Sequence, residues 1–171
     1  MEERDETNFL PKTRDFIVQI VTSNKQADEL AAHAVDFRKH IGNAQRALDK
    51  EAVAFCIFIG KELAHVGWLA LTEEAKDAFD PLPYRIDFSN KEACTGGTIT
   101  FPKFRGKGLM TYGYFKRFQF LWENGIKISR NAVKTNNIIS QKVHNKFNPK
   151  IYAKAYYVRF LWWKFLITRK V

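Results

Sequence analysis

Acidic residues almost vanish from the second part of this chain. Residues 101–171 hold one, Glu123, against 16 Lys+Arg. That scarcity argues against a strand-borne carboxylate base in that part of the chain. Cysteine is scarce as well. Cys56 and Cys94 cannot build a disulfide framework and neither stands at a metal-ligand spacing, so both read as small core residues of a reduced protein, and no metal is expected. No apolar run approaches the ~20 residues a membrane-spanning helix needs, which argues against an integral membrane protein. The opening MEERDETNFLPK is acidic and polar and does not read as a secretory signal, so a cytoplasmic location is expected. Internal repeats, low-complexity tracts and linkers are absent too.

What is present is a chain of 171 residues, 46% hydrophobic, 15% aromatic and 27% charged, too apolar and aromatic for disorder. Its formal net charge of +10 hides a split. Residues 1–100 carry 12 Lys+Arg and 17 Asp+Glu, a net of −5, whereas residues 101–171 carry +15. Such asymmetry points to an anionic partner for the basic part, with a solvated basic face as the plainer reading.

Periodicity and punctuation predict strands over 15–22, 53–59, 63–71, 84–88, 97–101 and 127–133, with one bent strand or two in 151–167. Helices are predicted over 26–40, 43–50, 73–79, 107–124 and 136–147. Gly60-Lys61-Glu62 reads as a hairpin turn, and Gly125 as a helix C-cap. The fold class is α/β, with a mixed, mostly antiparallel central sheet of about six to seven strands and about four flanking helices. Residues 1–12 are expected to be a flexible tail and 13–171 a single domain.

One segment carries chemistry. Thr98–Thr111 reads TITFPKFRGKGLMT: a strand, a proline, then a glycine-bearing turn into a long helix. Gly106 and Gly108 let backbone N–H groups approach an anion, and the first helical turn adds unpaired N–H groups and the positive end of its dipole. Lys103, Arg105 and Lys107 add formal charge. The pattern is a phosphate cradle.

In this segment the sequence resembles the GCN5-related N-acetyltransferase (GNAT) superfamily, whose signature is Q/R-x-x-G-x-G/A after the fourth strand. Arg105-Gly106-Lys107-Gly108-Leu109-Met110 follows it except at Met110, where the family has a small residue. Pro102 and Phe104 are similar as well. Downstream, Asn137, Ser140, His144 and Phe147 stand where members often carry Asn, Ser, Tyr and Phe. The resemblance implies a coenzyme A thioester, most simply acetyl-CoA, as acyl donor, attacked directly by an amine. It implies that Ile99 and Thr100 offer backbone groups to the thioester and pantetheine arm. Arg105, Gly106, Lys107, Gly108, Leu109, Met110 and Thr111 would hold the pyrophosphate. Asn137 and Ser140 would lie along the pantetheine, and His144, replacing tyrosine, would protonate the leaving thiolate as imidazolium.

The general base is open. Members often use a strand-borne Glu, but 95–101 and 127–133 contain no acid. Asp87, Glu92 and His65 are the candidates, with water the alternative. Loop-edge acids and a strand-surface histidine are the plainer readings of those three. The tail YYVRFLWWKFLI reads as sheet core or domain edge. Its sharper alternative is an exposed aromatic–basic surface (Arg159, Trp162, Trp163, Lys164) for lipid headgroups, or a dimer edge. Three functional classes stay open at this point. The first is an N-acyltransferase using acyl-CoA, or an acidic acyl carrier protein. The second is a non-catalytic coenzyme A-binding version of the fold, and the third a nucleic-acid-binding module. The amine acceptor has no readable code.

Overall fold

The structure, a computed structural model, describes residues 5–33, 36–160 and 163–170, the side chains of 159, 160, 163, 164 and 170 excepted. These residues form seven strands and five α-helices in two compact units. The first comprises Met1–Pro81 and Ile86–Asn131, the second Leu82–Arg85 and Ala132–Val171.

The first unit is built on a five-stranded sheet: β1 (Phe16–Val21), β2 (Val53–Ile59), β3 (Glu62–Ala70), β4 (Glu92–Thr100) and β5 (Ile128–Arg130), in that spatial order. The first four are mutually antiparallel, and β5 runs parallel to β4. Residues 53–58 and 63–70 are buried without alternation, the mark of strands covered on both faces. One cover is the long helix α4 (Leu109–Glu123), whose Leu121 packs with Val53, Phe55, Leu69 and Ala93. The other includes α2 (Ala44–Asp49) and α3 (Glu73–Phe79), where Trp68 lies between Phe37 and Phe79. A short α1 (Asn24–Ala31), capped by Ser23, follows β1.

Helix and strand repeats match along the α4–β3 contact. Four helical residues rise about 6 Å and two strand residues about 6.7 Å, so equivalent positions stay opposite one another. Gly113, Arg117 and Leu121 therefore face His65, Gly67 and Leu69. The sizes are complementary: a Cβ on Gly113 would lie 2.4 Å from His65 Nε2, and one on Gly67 would lie 2.3 Å from Arg117 Nη1.

The predicted elements need four corrections. Tyr84–Phe88 is not a strand; Pro83 supplies no ladder donor, and Asp87 instead caps the turn Phe88–Asn90. β4 starts earlier than Gly97, at Glu92, once Lys91 has turned the chain with φ 56°. The predicted helix 26–40 ends at Ala31 and a separate 3-10 turn, Phe37–His40, follows, with Ala34 and Val35 outside the described residues. The central sheet has five strands, the remaining two forming a separate hairpin. Residues 5–12, expected to be a flexible tail, lie along α4. Phe9 stacks on Phe115 at 5.1 Å, the Tyr112 hydroxyl donates to Glu6, and Lys12 N–H donates to Lys107 O at 2.9 Å.

The second unit contains α5 (Ile138–Asn145) and the antiparallel hairpin β6 (Ala153–Phe160)–β7 (Trp163–Lys170). Its tail is not sheet core: Tyr156 is 78% and Ile167 66% exposed. Trp162 and the side chains of Arg159, Trp163 and Lys164 lie outside the described residues. No described helix is long and apolar enough to cross a membrane.

Candidate active site

β4 offers an open backbone edge. β5 pairs with it only over Glu92–Cys94 and ends at Arg130; a hydroxyl contact, Thr95 Oγ1 to Ser129 Oγ at 2.8 Å, flanks the pairing. From Thr95 to Thr100, β4 has no ladder partner on the β5 side among the described residues. On its other side β4 carries a bulge. Val66 pairs with Ile99 and Trp68 with Gly96, so Gly97 and Thr98 together oppose Gly67. Gly97 has φ +53°, and a Cβ there would meet the Trp68 ring at 2.8 Å; only glycine fits.

The open edge runs directly into the glycine turn. Pro102–Phe104 makes one 3-10 turn, and Arg105 returns its Nε to the Thr100 carbonyl at 3.2 Å. Lys103 and Lys107 lie over the Phe104 ring, and Lys103 also pairs with Glu62 at 2.7 Å. Gly108, with φ +83°, is the N-cap of α4 and provides no side-chain cap, so the N–H groups of the first helical turn gain no partner from it. Around Gly106 nothing lies within 4 Å of an added Cβ. Leu109 and Thr111 are buried and Met110 is half-buried, while Arg105 and Gly106 are exposed. The turn thus presents amide-rich, cationic backbone, open at Gly106 and flanked by Leu10–Lys12 at Gly108, which fits a pyrophosphate.

Beneath the bulge lies a feature the motif did not mark. Arg117 is fully buried. Its Nη1 donates to Thr98 Oγ1 (3.1 Å), Gly96 O (3.3 Å) and Trp68 O (3.4 Å), its Nε to Gly113 O (3.0 Å), and the Tyr114 ring lies 3.9 Å from its Cζ. No described carboxylate pairs with it, and Nη2 has no hydrogen-bond partner. Burial pulls its pKa down. The one sequence signal was an arginine four residues after a glycine inside an apolar helix face.

The three base candidates are each engaged elsewhere. His65 is fully buried, with Nδ1 2.8 Å from Thr100 Oγ1, and burial followed by the nearby Arg117 charge pushes it down to about 3. It is neutral at physiological pH and out of solvent. Glu92 is paired by Arg130 through both carboxylate oxygens and accepts the Asp87 N–H at 3.0 Å; the Arg130 hydrogen bond holds it below its ordinary value of 4.5. Asp87 accepts from Ser89, from Asn90 N–H and from the Asn90 amide. In the second unit, Asn137 caps α5 by accepting from Ser140 N–H at 3.1 Å, and Ser140 and His144 are buried. No group of His, Cys, Asp and Glu suited to a metal ion occurs among the described residues.

No protein-family model matches the sequence, and no curated protein matches it. Solved structures do. An aminoglycoside N-acetyltransferase, AAC(6')-Iy, in complex with CoA shares 17% identity, covers 83% of this chain and 98% of its own, and superposes with a TM-score of 0.58. AAC(6')-IG from Acinetobacter haemolyticus, an aminoglycoside antibiotic 6'-N-acetyltransferase, shares 12% identity over 84% of this chain and 97% of its own, TM-score 0.56. A GCN5-related N-acetyltransferase from Ralstonia eutropha shares 12% over 80% and 93%, TM-score 0.53. This chain therefore carries the fold of the GCN5-related N-acetyltransferases.

Proposed function

We propose that the chain is an N-acyltransferase that moves an acyl group, acetyl as the simplest case, from a coenzyme A thioester directly to an amine. One observation carries the reading: the unpaired edge of β4 is followed, after a single 3-10 turn, by the glycine turn at the start of α4. An extended pantetheine arm can add to such an edge as a strand would, and the amides at the end of it suit the pyrophosphate. The same fold holds CoA in the complex of AAC(6')-Iy.

In this reading Ile99 and Thr100 present backbone to the pantetheine and thioester. Arg105, Gly106, Lys107, Gly108, Leu109, Met110 and Thr111 receive the pyrophosphate, Met110 through its N–H. The resemblance assigns Asn137 and Ser140 to the pantetheine and His144 to the leaving sulfur. The amine nitrogen bonds to the thioester carbonyl carbon, the C–S bond breaks, the thiolate takes a proton from His144, and the amine loses one. Backbone donors aimed at the developing oxyanion and a fixed approach geometry supply the acceleration. Water receives the amine's proton, since His65 is buried and neutral and Glu92 is bound to Arg130.

That same engagement of the nearby acids favours, as a second reading, a coenzyme A-binding protein without turnover. Two measurements separate the readings. Acetyl-CoA, and not an oligonucleotide, should raise the melting temperature; release of free CoA thiol with a panel of amines then marks turnover. A thioester on acyl carrier protein in place of CoA tests the alternative donor. Steeply salt-dependent oligonucleotide binding with no response to acetyl-CoA overturns both readings.

A further inference from the structure

The two units divide the charge unevenly. The second holds ten of the 28 Lys+Arg and none of the 18 Asp+Glu, so the first, with 18 of each, is neutral and the second carries the whole surplus of +10. The pyrophosphate turn belongs to the neutral unit. The turn therefore does not account for the surplus.

The hairpin in this unit exposes apolar side chains beside that charge. Cross-strand partners share a face. Lys154 opposite Arg169, Tyr156 opposite Ile167 and Val158 opposite Phe165 thus line one face of β6–β7, in that order along the ribbon. All six are exposed, Tyr156 and Ile167 by 78% and 66%. A two-stranded ribbon is marginal by itself in water, and aliphatic and aromatic groups in a row on its face are costly to leave wet. Elsewhere in the unit, Ile139 at the start of α5 is 76% exposed.

From this pairing we infer that the β6–β7 face docks on the surface of a bilayer containing anionic lipids, with Tyr156, Val158, Phe165 and Ile167 at the headgroup–acyl boundary and Lys154 and Arg169 on lipid phosphates. Apolar insertion and electrostatic attraction reinforce each other at such a surface. The chemistry separates this occupant from two others. A second copy of the face would bring two units of +10 together. A nucleic acid would use the cations and the rings but has nothing to offer Ile167 and Val158.

The test is co-sedimentation of the full chain with vesicles of pure phosphatidylcholine and of an equimolar phosphatidylcholine–phosphatidylglycerol mixture. Acyl transfer is not read, so the result is independent of the proposed activity. The expected result is partition onto the mixed vesicles at least about tenfold stronger than onto the neutral ones, weakened by salt. Lys154→Gln and Arg169→Gln should each cost about fivefold, and Tyr156→Ser with Ile167→Ser at least as much, with melting temperatures unchanged because these side chains are exposed. Equal partition onto both vesicles, none onto either, or partition indifferent to all four substitutions overturns the inference. So does light scattering that shows a two-copy species dispersed by Ile167→Asp, or an oligonucleotide that binds more tightly than the mixed vesicles.

Discussion

Nη1 of Arg117 lies 3.3 Å from the carbonyl oxygen of Gly96, at the residue where β4 leaves register with β3. A bulge leaves carbonyls without ladder partners, and a buried carbonyl without a donor costs about 1–3 kcal/mol. Nη1 reaches Trp68 O and Gly96 O at once while Nε holds Gly113 O, and Gly67 leaves the guanidinium room. Arg117 is thus the pin that fixes the strand whose free edge is proposed to hold the acyl donor.

Replacing that pin should show in stability first. Arg117→Met should lower the free energy of unfolding in urea by about 2–3 kcal/mol, because the carbonyls lose their donor while the methionine fills the space. Arg117→Lys should cost at least as much although it keeps the charge, since an ammonium cannot span the same acceptors. A neutral or stabilising Arg117→Met would mean that the burial of the charge outweighs its hydrogen bonds.

Gly113 and His65 should behave as one packing unit. Alanine is the better helix former by about 1 kcal/mol, yet its Cβ would lie 2.4 Å from His65 Nε2. Gly113→Ala should therefore destabilise by about 1–3 kcal/mol. In a His65→Ala background the same change should be neutral or stabilising, and a double-mutant cycle without coupling would contradict the contact.

His65 also sets a pH dependence. Its folded pKa of about 3 lies below the ordinary 6.5, so between those values the unfolded chain binds a proton that the folded chain does not. Stability should be full above pH 6.5 and fall as the pH drops towards 3, with a slope contribution approaching about 1.4 kcal/mol per pH unit. Urea unfolding of His65→Gln across this window should show a flatter profile than wild type, whatever its absolute stability. Parallel profiles would contradict the buried neutral imidazole.

Glu92 acts in a lower window. Its pKa is depressed chiefly by the hydrogen bond from Arg130, so its contribution is present above the ordinary 4.5 and is lost as the pH falls through the depressed folded value. The stability gap between wild type and Glu92→Gln should be widest near neutrality and close in acid. A gap that stays constant to low pH would show that the carboxylate's charge is not what Arg130 recognises.

Much of this was legible in the sequence because it was local. The glycine turn followed by a helix could be read at Arg105–Met110, since dipole ends and positive-φ positions depend on neighbours in the chain. The hairpin at Gly60 could be read for the same reason. Arg117 could not be recognised as a pin, because its partners Trp68, Gly96 and Thr98 lie far off in the chain and the bulge that frees their carbonyls arises only when β3 and β4 pair. The early start of β4 was hidden for a related reason: Glu92 looks like a loop acid until Arg130 on β5 neutralises it. The tail misled in the opposite sense. Its aromatic density is what a buried strand would show, yet Tyr156 and Ile167 face outward on a two-stranded ribbon.

The central claim is that the turn at Arg105–Thr111 binds the donor's pyrophosphate, and calorimetric titration with acetyl-CoA tests it most directly. The wild-type chain should bind one equivalent saturably, and Gly108→Asp, folded by its melting curve, should show no binding, since a carboxylate at the helix N-cap repels phosphate and occupies the amides. Unchanged affinity in Gly108→Asp, or no binding by the wild type, would contradict the account.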